Sequence, residues 1–185
     1  MKKHILSALF IAALTTFARA EKVSATATAA VSAQSSVKLS GLHLCCKSCV
    51  TGVEKAVATV KGVTVECDKD AGTATLSAAD KAVNQKAVDA IVAAGYFGKS
   101  GDSEISFKDT SGATEGKVSS LTVSGVHLCC GKCVTTVNKA IEKVKGVTGN
   151  TAEKNAKSFE VKGDFSPKEL FGALQSAGLT GKAGK

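Results

Sequence analysis

Tryptophan is absent from this sequence, and tyrosine, proline, methionine and arginine occur once each, as Tyr96, Pro167, Met1 and Arg19. Each shortage excludes something. Bidentate recognition of bases and phosphates leans on arginine, and single-strand binding leans on aromatic stacking, so the chain is not equipped for nucleic acid. The surplus of lysine reads as a solvated face. No apolar run reaches the roughly 20 residues a membrane-spanning helix needs. The longest, Ile5 to Phe17, has 13 residues. It follows Lys2 and Lys3 and precedes Ala18-Arg19-Ala20, so residues 1–20 read as a secretory signal peptide. Glu21 follows the expected cut, so no cysteine stands there to accept a lipid anchor. The expectation is an exported protein, periplasmic or extracellular. Cleavage would remove the only arginine and methionine, leaving 21 basic against 16 acidic residues and no thioether ligand.

Cysteine, by contrast, is plentiful: seven residues, six of them packed into two short windows. Disulfide frameworks join distant parts of a chain, and these spacings cannot do that; clustering argues for a site. The windows are Cys45-Cys46-Lys47-Ser48-Cys49 and Cys129-Cys130-Gly131-Lys132-Cys133, and they belong to a longer repeat. Gly41–Val63 aligns without gaps to Gly125–Val147, with 15 of 23 positions identical. His43 pairs with His127, and each cysteine pairs with its counterpart. A duplication that keeps soft donor atoms while drifting elsewhere points to metal chemistry.

Around each window the periodicity changes in the same order. Val37 and Leu39, like Leu121 and Val123, alternate with polar residues as a first strand. The parity shifts at Ser-Gly, which predicts a β-bulge at Gly41 and Gly125 and puts His43 and Cys45 on the face opposite Leu42 and Leu44. Val50, Val53, Val57 and Val60, and Val134, Val137, Ile141 and Val144, recur at helical spacing up to a glycine stop. Val63, Val65 and Cys67 alternate as a second strand, which makes Cys67 a core residue; Ala74 and Leu76 mark a third, as Phe159 and Val161 do in the second copy. Second helices follow, one ending at Gly95, the other opening with Ser166, Pro167 and Glu169 as a capping box. Each copy therefore reads β-α-β-β-α-β, and the fold class is α+β, two tandem ferredoxin-like domains. The divisions are a flexible leader over 21–36, domain 1 over 37–100, a Gly/Ser/Asp-rich linker over 101–118 in which Ile105 and Phe107 could instead extend a strand, and domain 2 over 119–185.

In each copy Cys-x-x-Cys sits where strand hands over to helix. Free amides and the helix dipole favour the thiolate there, the form that binds metal. Cys46 and Cys49, and Cys130 and Cys133, are the primary candidate ligands. Cys45 and Cys129 read either as ligands or as spare thiols beside the site. His43 and His127 read either as ligands or as exposed strand residues supporting the ligands.

With these residues in place, each copy resembles the heavy-metal-associated domain of copper chaperones, metal-pumping ATPase tails and periplasmic mercury-binding proteins, over roughly 37–100 and 119–183. The resemblance implies non-enzymatic binding of a soft ion, Cu(I), Zn(II), Cd(II) or Hg(II), one per domain, and exchange with a metal transporter or another metal-binding protein. It also places Tyr96 near the metal loop, with Leu179 in its place in copy two. Leu44 and Leu128 stand at the family's methionine. The extra cysteine, Cys45 or Cys129, resembles variants that prefer zinc or cadmium; two thiolates suit Cu(I) or Hg(II), and three approach what Zn(II) takes. The competing reading is a thiol-disulfide oxidoreductase using the same Cys-x-x-Cys pairs. Against it, Pro167 is placed to start a helix, and copy one has no proline to stand opposite a dithiol.

Overall fold

Val37 and Leu39 point inward from β1 (Ser35–Ser40), and the polar residues between them face solvent. That alternation sets the first sheet. In the computed structural model, which describes residues 34–184, β1 pairs antiparallel with β3 (Thr73–Ala78), bringing Val37 opposite Leu76 and Leu39 opposite Ala74. β2 (Val63–Asp68) lies outside β3, and the two-residue β4 (Lys99–Ser100) closes the far side of β1, for the order β2-β3-β1-β4. Helices α1 (Lys47–Ala58) and α2 (Lys81–Ala93) bury Val53, Val57, Val88 and Ile91 in the same core. Each such side chain removed from water contributes about 1.5–3 kcal/mol. The Asp80 carboxylate caps α2 by accepting from the Val83 N–H at 2.9 Å.

The second half repeats the plan with β5 (Val118–Ser124), α3 (Gly131–Ile141), β6 (Val147–Asn150), β7 (Ser158–Phe165), α4 (Pro167–Ser176) and β8 (Lys182–Ala183), in the order β6-β7-β5-β8. The protein is thus two ferredoxin-like βαββαβ units in tandem. Ser166 caps α4 through the Glu169 N–H, and Pro167 takes the first helical position.

Three sequence readings change. The parity shift at Gly41 and Gly125 is not a bulge: β1 and β5 end at the preceding serines, and the glycines turn the chain with φ of 73° and 74°. The irregular pairings lie instead between Val118 and Ser120 and between Val147 and Gly149. β1 begins at Ser35, inside the segment read as leader; the expected signal peptide (1–20) and most of that leader lie outside the described residues. Segment 101–117 forms no strand but is docked along its length. Ile105 is buried, and Phe107 tilts against Phe97 with centroids 5.4 Å apart. Ser106 exchanges two 2.9 Å hydrogen bonds with the Gln85 side chain, Lys81 pairs with Asp102 and Glu104, and the Ser111 carbonyl accepts from the Ala183 N–H at 2.8 Å.

The two halves meet through reciprocal contacts at the ends of α2 and α4. Tyr96 and Leu179 form an antiparallel bridge. The Phe97 N–H donates to the Gly178 carbonyl at 3.1 Å, and the Thr180 N–H to the Gly95 carbonyl at 3.0 Å. Gly95 and Gly178 end their helices at φ of 88° and 81°, and each lies hard against the other half's first loop. A Cβ on Gly95 would come within 2.3 Å of the Gly125 carbonyl oxygen; one on Gly178 would come within 2.5 Å of the Gly41 oxygen. These glycines are helix stops and also the points of closest approach.

Candidate metal centre

After the glycine turns, Leu42 and Leu44 (Val126 and Leu128 in the second half) are buried, anchoring the loops to their own cores. The Leu42 N–H donates to the Gly72 carbonyl, and the Leu128 carbonyl accepts from the Asn155 N–H. The intervening residues, His43, Cys45, His127 and Cys129, are therefore turned outward and are half-buried where the halves meet. Cys46 and Cys130 are the N-caps of α1 and α3, with extended backbone and no side-chain capping bond, so their sulfurs stay available. Cys49 and Cys133 lie one turn in and have no exposed surface.

All six sulfurs converge. Within the first half, Cys49 Sγ is 3.6 Å from Cys45 Sγ and from Cys46 Sγ. Within the second, Cys133 Sγ is 3.7 Å from Cys129 and 3.6 Å from Cys130. Across the junction Cys45 reaches Cys130 and Cys133 at 3.6 and 3.7 Å, Cys46 reaches Cys129 at 3.7 Å, and Cys49 reaches Cys129 and Cys133 at 3.6 and 3.7 Å. The pairs Cys45–Cys46, Cys46–Cys130 and Cys129–Cys130 lie within 4.8 Å. The remaining pairs, Cys45–Cys129, Cys46–Cys133 and Cys49–Cys130, share none of these contacts, so each sulfur has four neighbours and one opposite. That is an octahedron of sulfur. All seven cysteines are free thiols.

The electrostatics favour anionic sulfur at Cys46 and Cys133 and oppose it, chiefly through burial and the neighbouring thiols, at Cys45, Cys49 and Cys129. The N-termini of α1 and α3 both open on the cluster, so two helix dipoles bring positive potential to it. At Cys46 burial works against ionisation but is outweighed by the Cys49 backbone N–H and by the thiols of Cys49, Cys129 and Cys130, which together bring its pKa down to about 6. Burial, then the bond with Cys130, pushes Cys45 up to about 12. Cys49 and Cys133, 3.7 Å apart, are pushed in opposite directions. The bond to Cys133 and burial raise the Cys49 thiol, while the same bond, with His43 nearby, holds Cys133 low. Lys47 and Lys132 stand exposed on the first turns of the two helices.

The two histidines differ. A His43 nitrogen lies within 4.8 Å of the sulfurs of Cys45, Cys49 and Cys133, and its Nε2 is buried with no hydrogen-bond partner. His127 joins no such group among the described residues. Its ring stacks on Tyr96 at 4.6 Å between centroids, its Nε2 is likewise unpartnered, and burial above all lowers its pKa. Tyr96 is fully buried and donates from Oη to the Cys49 carbonyl at 2.9 Å, tying the end of α2 to the metal loop. Gly52 makes room for it: a Cβ there would stand 2.2 Å from Tyr96 Oη.

The structure thus unites the six candidate cysteines and His43, and leaves His127 beside them as a stacking partner. The sites expected separately, one per domain, form one shared cluster. Nothing in the local sequence pattern carries that, since it depends on how the halves abut; Gly95 and Gly178 read in sequence as ordinary helix stops. Cys67 is only partly buried on β2, where burial and then the Glu54 carboxylate push its pKa up to about 11. Alkylation at pH 9 should therefore modify Cys67 roughly five- to ten-fold more slowly than a free thiol, since its scarcer thiolate is also the more nucleophilic one, as followed by peptide mapping. An ordinary rate would show its sulfur to be open.

Fold and site together define the class: a tandem ferredoxin-like protein whose two strand-to-helix junctions build one thiol cluster able to hold metal. Searched against known proteins, the sequence matches no family model and no curated protein. Among solved structures it is similar to the N-terminal soluble domains of Bacillus subtilis CopA, at 17% identity over 82% of this chain and 94% of that one, with a TM-score of 0.30. It also aligns with the first two RRM domains of the yeast poly(U)-binding protein Pub1, at 9% identity over 82% of this chain and 99% of that one, with a TM-score of 0.22. At these scores neither likeness bears on function.

Proposed function

We propose that the protein binds a thiophilic metal ion as cargo, serving outside the cytoplasm as a carrier, scavenger or metallochaperone rather than as an enzyme. One observation carries this: six free thiols from two halves of the chain converge, with nine sulfur pairs at 3.6–3.7 Å, facing two helix N-termini. Bringing that many ionisable sulfurs together costs desolvation and mutual repulsion, and a bound cation offsets both. The signal-like residues 1–20 support export. A metal transporter or a second metal-binding protein is the expected exchange partner, since half-exposed sulfurs permit hand-over from thiol to thiol.

Protein purified anaerobically with reductant should carry thiophilic metal by elemental analysis. The paired change Cys46→Ser with Cys130→Ser should lower that content at least several-fold. Unchanged metal content in the double variant would overturn the reading.

A further inference from the structure

The geometry points to a single polynuclear Cu(I) centre shared by both domains: four Cu(I) ions, each held by a triangle of three thiolates, with every thiolate bridging two ions. This rests on the metal-binding reading above and makes its cargo specific. Of the eight faces of this octahedron, four stand out as sets of donors that could grip one ion: Cys45/Cys49/Cys133, Cys45/Cys46/Cys130, Cys46/Cys49/Cys129 and Cys129/Cys130/Cys133. Each of the six sulfurs belongs to two of these, and no two triangles share an edge. They are the alternate faces of the octahedron, the positions at which four ions can sit without crowding.

Spacing and coordination preference select the ion. Triangles Cys45/Cys46/Cys130 and Cys129/Cys130/Cys133 include sides bounded only at 4.8 Å; in Cys45/Cys49/Cys133 and Cys46/Cys49/Cys129, with edges of 3.6–3.7 Å, a centred cation lies about 2.1 Å from each sulfur. That is close to the ~2.3 Å bond a d10 cation makes to thiolate, reached with a slight expansion of the cluster. Cu(I) accepts three-coordination and soft sulfur ligands. Zn(II) asks for four ligands in a tetrahedron, and no four vertices of an octahedron form one. Among the described residues the one four-ligand set is His43 with Cys45, Cys49 and Cys133. A zinc ion there would leave Cys46, Cys129 and Cys130 without a role, although Cys46 lies 3.7 Å from Cys129 and Cys130 lies 3.6 Å from Cys133. An ion at the octahedron's centre would be six-coordinate, which soft thiolate sites do not favour.

Charge closes as well. Four Cu(I) displace six thiol protons, so four monocations against six thiolates leave a cluster charge of −2, set against two helix N-termini and the flanking Lys47 and Lys132. No oxidation or reduction is involved. The buried Cys49 and Cys133 and the Tyr96–His127 stack screen one side of the cluster from water.

The test is anaerobic titration of the reduced chain with Cu(I) supplied as its acetonitrile complex, read by native mass spectrometry and by red emission under near-ultraviolet excitation. The expected result is cooperative loading to four copper ions per chain with little of the intermediate species, emission that rises in step, and one thiol (Cys67) left for a thiol reagent. Cys67→Ser should still take four. Cys129→Ser, which removes a corner of two triangles, should fall two-fold, to two, with unchanged circular dichroism confirming its fold. Saturation at one or two dispersed, non-emitting copper ions would overturn the shared cluster and leave metal binding standing. So would preferential uptake of a single Zn(II) that His43→Ala abolishes. Failure to retain Cu(I), Zn(II), Cd(II) or Hg(II) would overturn the cluster and the metal-binding function together.

Discussion

Gly95→Ala is expected to lower the thermal unfolding midpoint by roughly 10 °C, whereas Gly62→Ala should lower it by no more than about 3 °C. Both glycines have left-handed backbone, at φ of 88° and 80°. An alanine therefore pays about 1 kcal/mol of backbone strain at either position. Only Gly95 is enclosed. An added methyl there would stand 2.3 Å from the Gly125 carbonyl oxygen and 2.7 Å from the His127 nitrogen, while around Gly62 there is nothing within 4 Å. Backbone atoms cannot rotate aside as a side chain can, so the halves must part. That also breaks the Thr180-to-Gly95 hydrogen bond and the bridge between Tyr96 and Leu179. The combined cost is about 3–5 kcal/mol, in the range kept for strain and overpacking. Differential scanning calorimetry of the two variants decides the matter. Equal losses would mean that only backbone strain is being felt and that the close approach is not tight.

Tyr96→Ala is expected to cost about 3–5 kcal/mol in denaturant unfolding, and Tyr96→Phe about 1–2 kcal/mol. The ring is fully buried, heads the largest enclosed side chains of the protein, and stacks on His127 of the other half. Truncation leaves a cavity at the junction and exposes the unpartnered imidazole to it. The phenylalanine variant keeps the ring and the stack but strips the Cys49 carbonyl of its 2.9 Å donor in a buried setting. The difference between the variants separates packing from that one hydrogen bond. If Tyr96→Phe lost as much as Tyr96→Ala, the hydroxyl's tie to the metal loop would outweigh the ring's packing, contrary to this account.

The element order and the placement of Cys-x-x-Cys at strand-to-helix junctions were legible in the sequence because both are local. Val53 and Val57 reveal a helix by spacing alone, and Val37 and Leu39 a strand by alternation. The parity shift marks the place of the turn at Gly41 but not its kind: a glycine that ends a strand and one that bulges it shift the parity of the following residues alike. Segment 101–117 has a linker's composition, yet Ile105, Phe107 and Ser111 find partners that no neighbouring residue advertises. The meeting of Cys45 with Cys130 and Cys133 is a property of two packed bodies. Identical motifs 84 residues apart look the same whether they face each other or solvent.

Because both sulfur-bearing loops sit on one polypeptide, with 101–117 fastened to Gln85 and Lys81 on one side and to Ala183 on the other, assembly of the shared centre is a first-order event. Two separate chains would have to find each other, and their loading would fade on dilution; here the effective concentration of one loop at the other is fixed by the tether, on the millimolar scale or above. Uptake should therefore be as complete in nanomolar protein as in micromolar. Proteolytic nicking between Asp109 and Lys117 would turn it into a concentration-dependent encounter.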